Sequence, residues 1–208
     1  MDLTAAFNII LALVFSPLLF GIINRTKAFF AGRQGQPILQ FYYDLGKLWQ
    51  KGAVYSRTTT WVFRFGPMMS FAALFLALGF ISCGGYPALF AFKGDLILFI
   101  YLFGLVRFFT VLAALDTGSS FEGMGASREV QFALLAEPAI FLGLAVLARH
   151  TGEISLSGIY PNITFETWKT AGPILALVVG SILIVFLAEN SRIPVDDPNT
   201  HLELTMIH

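Results

Sequence analysis

The stretch LAENSRIPVDDPNTHLELT, residues 187–205, gathers Glu189, Arg192, Asp196, Asp197, His201 and Glu203 directly after a long apolar run, with Pro194 and Pro198 between them. Carboxylates interleaved with an arginine are groups that take up protons, hold them and hand them on. A solvated loop would have a similar composition. The two readings are therefore a plain polar rim and a proton- or ligand-handling cavity.

Two further ionisable residues sit where charge is costly. Arg107 lies in the middle of FGLVRFFTV and Glu137 a third of the way along an apolar run, in LLAEPAIF. A charge at the centre of a bilayer costs about 2.5–3.5 kcal/mol on insertion scales, so such residues face the protein interior or a wet cavity. Pro138 follows Glu137 and frees a backbone carbonyl one turn earlier, a further partner for water or a proton. An Arg107–Glu137 ion pair that only fixes helix packing is the competing reading. Between these two residues, LDTGSSFEGMGASREV carries Asp116, Glu122, Arg128 and Glu129, with glycines at 118, 123 and 125. It reads as a glycine-rich loop, and without a Walker-type lysine it gives little support to phosphate binding.

The elements that must position these groups are membrane helices. The 208 residues are 56% hydrophobic and 12% charged, about half the charge of a soluble domain. Mean hydropathy is +0.74. Thirteen basic and thirteen acidic residues cancel, which excludes a nucleic-acid partner on charge grounds. The single cysteine, Cys83, excludes an internal disulfide and any cluster held by several thiolates, and the three histidines have no ligand spacing. No metal or cofactor is expected in this chain.

The fold class expected is all-α, a polytopic transmembrane protein forming one membrane domain over residues 1–208. Five spans of roughly 20 residues are read over Ala5–Ile23, Phe65–Ser82, Leu96–Leu115, Val130–Ala148 and Ala171–Ala188. The first lacks a basic leader and a small-residue cleavage site, so it is expected to be a span and not a cleaved signal. Arg25, Lys27, Arg33, Lys47, Lys51 and Arg57 crowd the first connection against one acid, Asp44. By the positive-inside rule that side is cytoplasmic and the N-terminus is outside. The third-to-fourth connection and the 187–205 cluster then share the cytoplasmic face. Within the first connection, Ile38, Phe41/Tyr42, Leu45 and Leu48/Trp49 recur at helical intervals, the pattern of an amphipathic helix in the interface or of a cavity wall.

Three motifs, GRQGQPILQFYYDLGKL, GASREVQFALLAEP and AENSRIPVDDPNTHLEL, resemble the quinone-site subunit of respiratory complex I, NADH dehydrogenase subunit 1. They are more similar still to its counterpart in membrane-bound group 4 [NiFe] hydrogenases of the hydrogenase-4 and formate hydrogenlyase kind, in which LDTGS precedes GASRE. The resemblance covers essentially the whole chain. It implies a non-catalytic subunit in a prokaryotic cytoplasmic membrane, with the peripheral redox arm on the cytoplasmic side. The implied partners are a [NiFe] large subunit, an iron–sulfur small subunit and antiporter-like membrane subunits, with the metal centres held by those partners. Arg33, Gln36, Gln40, Asp44 and Lys47 would face the redox arm or a quinone-like cavity. Asp116, Glu129, Glu137, Glu189, Asp196 and Glu203 would relay protons, with Arg107, Arg128 and Arg192 as charge partners.

Two departures qualify the resemblance. Asn199 and His201 stand where the quinone enzymes usually carry acids, which fits the hydrogenase branch better than a quinone reductase. The chain also ends at His208, where family members continue through further spans, so a fragment of a longer subunit is expected. A quinone-binding subunit of a complex I-type dehydrogenase is the alternative reading. A stand-alone transporter fits least, because no internal repeat or matching pair of interrupted helices is visible.

Overall fold

The computed structural model describes residues 3–82 and 88–190, with side chains from residue 7 onward. Every regular element among these residues is a helix. They are α1 (Leu3–Phe30), α2 (Gln40–Trp49), α3 (Trp61–Leu78), α4 (Asp95–Asp116), α5 (Ser120–Thr151), α6 (Leu156–Asn162) and α7 (Phe165–Glu189). Five are long and apolar enough to cross a membrane, namely α1, α3, α4, α5 and α7. The all-α, multi-pass architecture expected from hydropathy is therefore present. The chain divides into two compact units, residues 1–55 and 56–208.

In the first unit, α2 packs on α1. Gly21 makes room for it, since a Cβ there would lie 1.9 Å from the Ile38 carbonyl oxygen. The Phe20 and Phe41 rings sit 5.3 Å apart. Pro17 offers no N–H to the helix, and beside this break the Tyr42 hydroxyl donates to the Val14 carbonyl. Arg25 Nη1 donates to the Gly35 carbonyl at 3.1 Å and ties down the turn between the helices. The expected amphipathic helix is present, and Phe41 and Tyr42 on its apolar face meet α1 while Leu45, Leu48 and Trp49 remain exposed.

The second unit is a bundle in which α4 packs on α3 and α5, and α5 on α7. Gly66 lets α3 approach α4 closely, its Cβ position lying 3.0 Å from Ala113 Cβ and 3.1 Å from the Phe109 carbonyl oxygen. Ala73, Ala77, Phe80 and Leu102 form a buried apolar cluster between the same helices.

Two expectations are corrected here. The glycine-rich segment after Asp116 is not a loop. Helix α5 begins at Ser120 and takes in Gly123, Gly125 and Arg128, leaving a connection of Thr117, Gly118 and Ser119. Gly125 and Ala126 are buried, and that burial outweighs the weak helix propensity of the glycines. At 32 residues, about 48 Å, α5 exceeds the hydrocarbon thickness, so part of it stands outside. The fifth span also starts earlier than expected, at Phe165, with a kink at Ala171 (φ −125°, ψ 22°) nearly two turns into the helix and just before Pro173. The short helix α6 has no counterpart among the expected elements.

Candidate functional site

Arg107 projects from the middle of α4 and is 7% exposed. Its Nη1 donates to Glu137 Oε1 at 3.0 Å, its Nη2 donates to Glu189 Oε1, and its Nε lies 3.6 Å from Glu129 Oε1. Glu129 and Glu137 come from α5 and Glu189 from the last turn of α7, so one guanidinium joins three helices. The planar fork of arginine can do this because its donors point in several fixed directions and its charge is permanent. Gly104, one turn before Arg107, leaves the α4 surface flat. A Cβ there would sit 3.5 Å from Glu137 Oε1.

With all groups ionised, three carboxylates and one guanidinium carry a formal charge of −2. Two protons taken up by the carboxylates would bring the cluster to neutrality. The three acids differ in access: their side chains are 28% (Glu129), 40% (Glu137) and 25% (Glu189) exposed, whereas the Arg107 side chain is 9% exposed. This gives a buried fixed cation ringed by acids that can be reached from outside the bundle. The Arg107–Glu137 pair weighed in the sequence is present, and Glu129 and Glu189 join it.

The other candidate residues fall elsewhere. Asp116 closes α4 and accepts from Thr60 N–H at 2.7 Å, Thr60 Oγ1 at 2.6 Å and Phe63 N–H at 3.2 Å. Both of its oxygens thus satisfy the first turn of α3, the arrangement of a helix cap. The Arg128 guanidinium lies 5.5 Å from the Phe132 ring centroid. Gln40 Nε2 donates to Asp44 Oδ1 at 2.9 Å along α2, while Arg33, Gln36 and Lys47 are exposed in the same unit. Asp196, Glu203 and Arg192 lie outside the described residues.

Sequence reasoning missed Asp95. It is fully buried and accepts from Ser155 Oγ at 2.7 Å and from Leu156 N–H at 2.8 Å. The signal available was Gly94-Asp95 ahead of an apolar run, a helix-start pattern. Among the described residues no group of three or more His, Cys, Asp or Glu is placed to hold a metal ion.

A bundle of membrane-length helices built around a buried arginine–carboxylate cluster defines the chain as a polytopic membrane protein with an internal charge network. More narrowly, the chain belongs to the NADH dehydrogenase family, whose model matches residues 3–206. It is 33% identical over 193 residues to formate hydrogenlyase subunit 4 of Escherichia coli (strain K12), covering 91% of this chain and 61% of that protein. It is 32% identical over 195 residues to hydrogenase-4 component C of the same organism, covering 94% and 61%. Among solved structures it resembles a chain of the membrane-bound sulfane sulfur reductase, an archaeal respiratory membrane complex, with TM-score 0.77 and 27% identity over 88% of this chain and 60% of that one. The chain therefore spans about three fifths of the length of these relatives.

Proposed function

We propose that this chain acts in the membrane arm of a complex I-like, membrane-bound [NiFe] hydrogenase, anchoring the redox arm and coupling it to ion movement. The observation that carries the reading is the Arg107 cluster, a buried guanidinium shared by three carboxylates from two other helices. A charge-balanced pair would serve packing alone. An excess of two acids gives capacity to accept protons. Glu189 ends α7 and is the first acid of the 187–205 stretch, ahead of Asp196, Asp197 and Glu203, so it is the natural point of entry. A proton on Glu189 weakens its hold on Arg107 Nη2 and leaves the guanidinium to Glu137 and Glu129. The charge change on α7 is thereby felt on α5.

In this reading the basic first connection is cytoplasmic, the N-terminus is outside, and the redox arm docks on the cytoplasmic face. The partners are a [NiFe] large subunit and an iron–sulfur small subunit, which hold the metal centres, together with antiporter-like membrane subunits. The names of the two Escherichia coli relatives support this assignment. Testing it requires the full-length subunit in its assembled complex in native membranes. Glu189→Gln and Glu137→Gln are expected to retain hydrogen turnover while the ion gradient formed per turnover falls severalfold. Unchanged coupling in both variants would overturn the reading.

A quinone-binding subunit of a complex I-type dehydrogenase is the second reading. It is favoured by the description of the matching family and by the apolar face of α2, where Leu45, Leu48 and Trp49 are uncovered. Co-purification of a quinone-reducing arm, with inhibition by quinone-site blockers, would select it. A [NiFe] subunit in the purified complex would select the first.

A further inference from the structure

Asp95 is a fully buried carboxylate for which proton relay at the Arg107 cluster has no use. It is the first residue of α4, after Gly94, whose φ of 96° suits glycine. Arg107 lies twelve residues on, about 18 Å along the helix. Glu189 ends α7 and α5 starts near the far end of α4, so Asp95 and α6 occupy the end of the bundle opposite the entry side of the cluster. The carboxylate holds α6 at its start: Ser155, the N-cap, donates its hydroxyl to Oδ2, and Leu156, the first helical residue, donates its N–H to Oδ1. The charge therefore sits between the N-terminal ends of α4 and α6, both of which favour an anion. Leu156 packs against the buried cluster of Ala73, Ala77, Phe80 and Leu102, and Ile159 is 3% exposed. A seven-residue helix has little stability of its own, so these attachments place it.

We propose that Asp95 is a positioning residue that latches α6 over this end of the bundle, closing it to water so that the Arg107 cluster exchanges protons through one membrane face only. The proposal rests on the relay reading for its consequence, though the latch itself can be tested alone. Without the carboxylate, the Ser155 hydroxyl and Leu156 N–H lose their acceptors inside an apolar setting, and α6 can satisfy them only by lifting into water. Asparagine at position 95 would behave differently. Its carbonyl oxygen accepts the Leu156 N–H, and its amide can donate to the Ser155 oxygen.

The test uses the full-length subunit in its assembled complex, with Cys83→Ser as background and Leu102→Cys as reporter, probed in sealed vesicles with a membrane-impermeant maleimide. Asp95→Ala is expected to label severalfold faster than the parent from the face that carries α6, while Asp95→Asn labels at the parent rate. The same Asp95→Ala vesicles are expected to lose an imposed pH gradient severalfold faster. Labelling of Asp95→Ala at the parent rate overturns the latch. Fast labelling with no added proton leak overturns the seal and leaves the latch. Failure of the relay reading would appear separately, as normal coupling in Glu137→Gln and Glu189→Gln. Should Asp95→Ala fail to assemble, Ser155→Ala, which removes one of the two hydrogen bonds and leaves the other, is read in its place: labelling faster than the parent, by less than the Asp95→Ala expectation, supports the latch, and labelling at the parent rate overturns it.

Discussion

Arg107 and Glu137 meet at 3.0 Å, one from the middle of α4 and the other from the turn of α5 that ends in Pro138. Neither residue is affordable in a bilayer alone. Together they leave the guanidinium with donors to spare, and those reach Glu189 and approach Glu129. The pair is thus the seed of a larger cluster whose surplus is negative. That surplus distinguishes the cluster from a charge-balanced bridge that only pins two helices.

Removing the guanidinium should be severe. Arg107→Ala leaves three carboxylates facing one another with no counter-charge, and stranding one side of a buried ion pair costs about 3–5 kcal/mol. The partial exposure of the acids places the expected loss near the lower end. Arg107→Lys keeps the charge but concentrates it at one point, so it cannot serve three acids on two helices at once. The expected order of thermal stability of the purified complex is parent, then Lys, then Ala. An Ala variant as stable as the parent would show that the cluster is solvated and not a structural hub.

Neutralising single acids separates the roles within the cluster. Glu129 is the outlying member, 3.6 Å from Nε, whereas Glu137 and Glu189 accept hydrogen bonds. Glu129→Gln is expected to change stability little, within about 1 kcal/mol, because a single long ion pair contributes little. Glu137→Gln should be the more damaging of the two for ion coupling, since Glu137 receives a direct hydrogen bond from the buried guanidinium. Gradient formation measured per hydrogen turned over would check this ranking, and equal effects would refute it.

Asp116 illustrates what could and could not be read from the chain. The family resemblance implies that it relays protons. Its oxygens also accept from the backbone at the start of α3, 53 to 56 residues away, and no spacing rule reveals such a contact. The spans were legible because a bilayer demands long apolar runs, and α4 came out within a residue at each end. The start of α5 was hidden because glycines and charges in a row look like a loop until burial of Gly125 and Ala126 is known. The Arg107–Glu137 pairing was legible because two charges of opposite sign inside apolar spans must be compensated. The recruitment of Glu129 and Glu189 depends on the register of α5 and α7, which hydropathy does not encode.

The capping role of Asp116 makes its own prediction. Asp116→Ala removes the acceptor for two backbone N–H groups at the start of α3 and for the Thr60 hydroxyl, and losing a cap costs about 1 kcal/mol, up to about 2. Thr60→Ala should cost less, since Asp116 would still accept from two N–H groups. Both are expected to lower the melting temperature of the complex while leaving ions moved per turnover unchanged. A selective loss of coupling in Asp116→Asn, with normal stability, would instead show Asp116 acting in the relay.

Two glycine replacements should have opposite outcomes although both lie in helices. Alanine is ordinarily preferred to glycine inside a helix by about 0.5–1 kcal/mol. At Gly104 the new Cβ would meet Glu137 Oε1 at 3.5 Å, ordinary contact, so Gly104→Ala is expected to preserve assembly. At Gly21 it would fall 1.9 Å from the Ile38 carbonyl oxygen, and a backbone atom cannot rotate out of the way. The propensity gain is too small to offset that overlap, so α2 must withdraw from α1. A cysteine pair at Phe20 and Phe41, whose rings lie 5.3 Å apart, reports the contact directly. Cross-linking of Phe20→Cys/Phe41→Cys by a short bifunctional maleimide, in a Cys83→Ser background, is expected to proceed in the parent and to drop severalfold when Gly21→Ala is added. Undiminished cross-linking would mean that the two helices slide to a new register instead of parting.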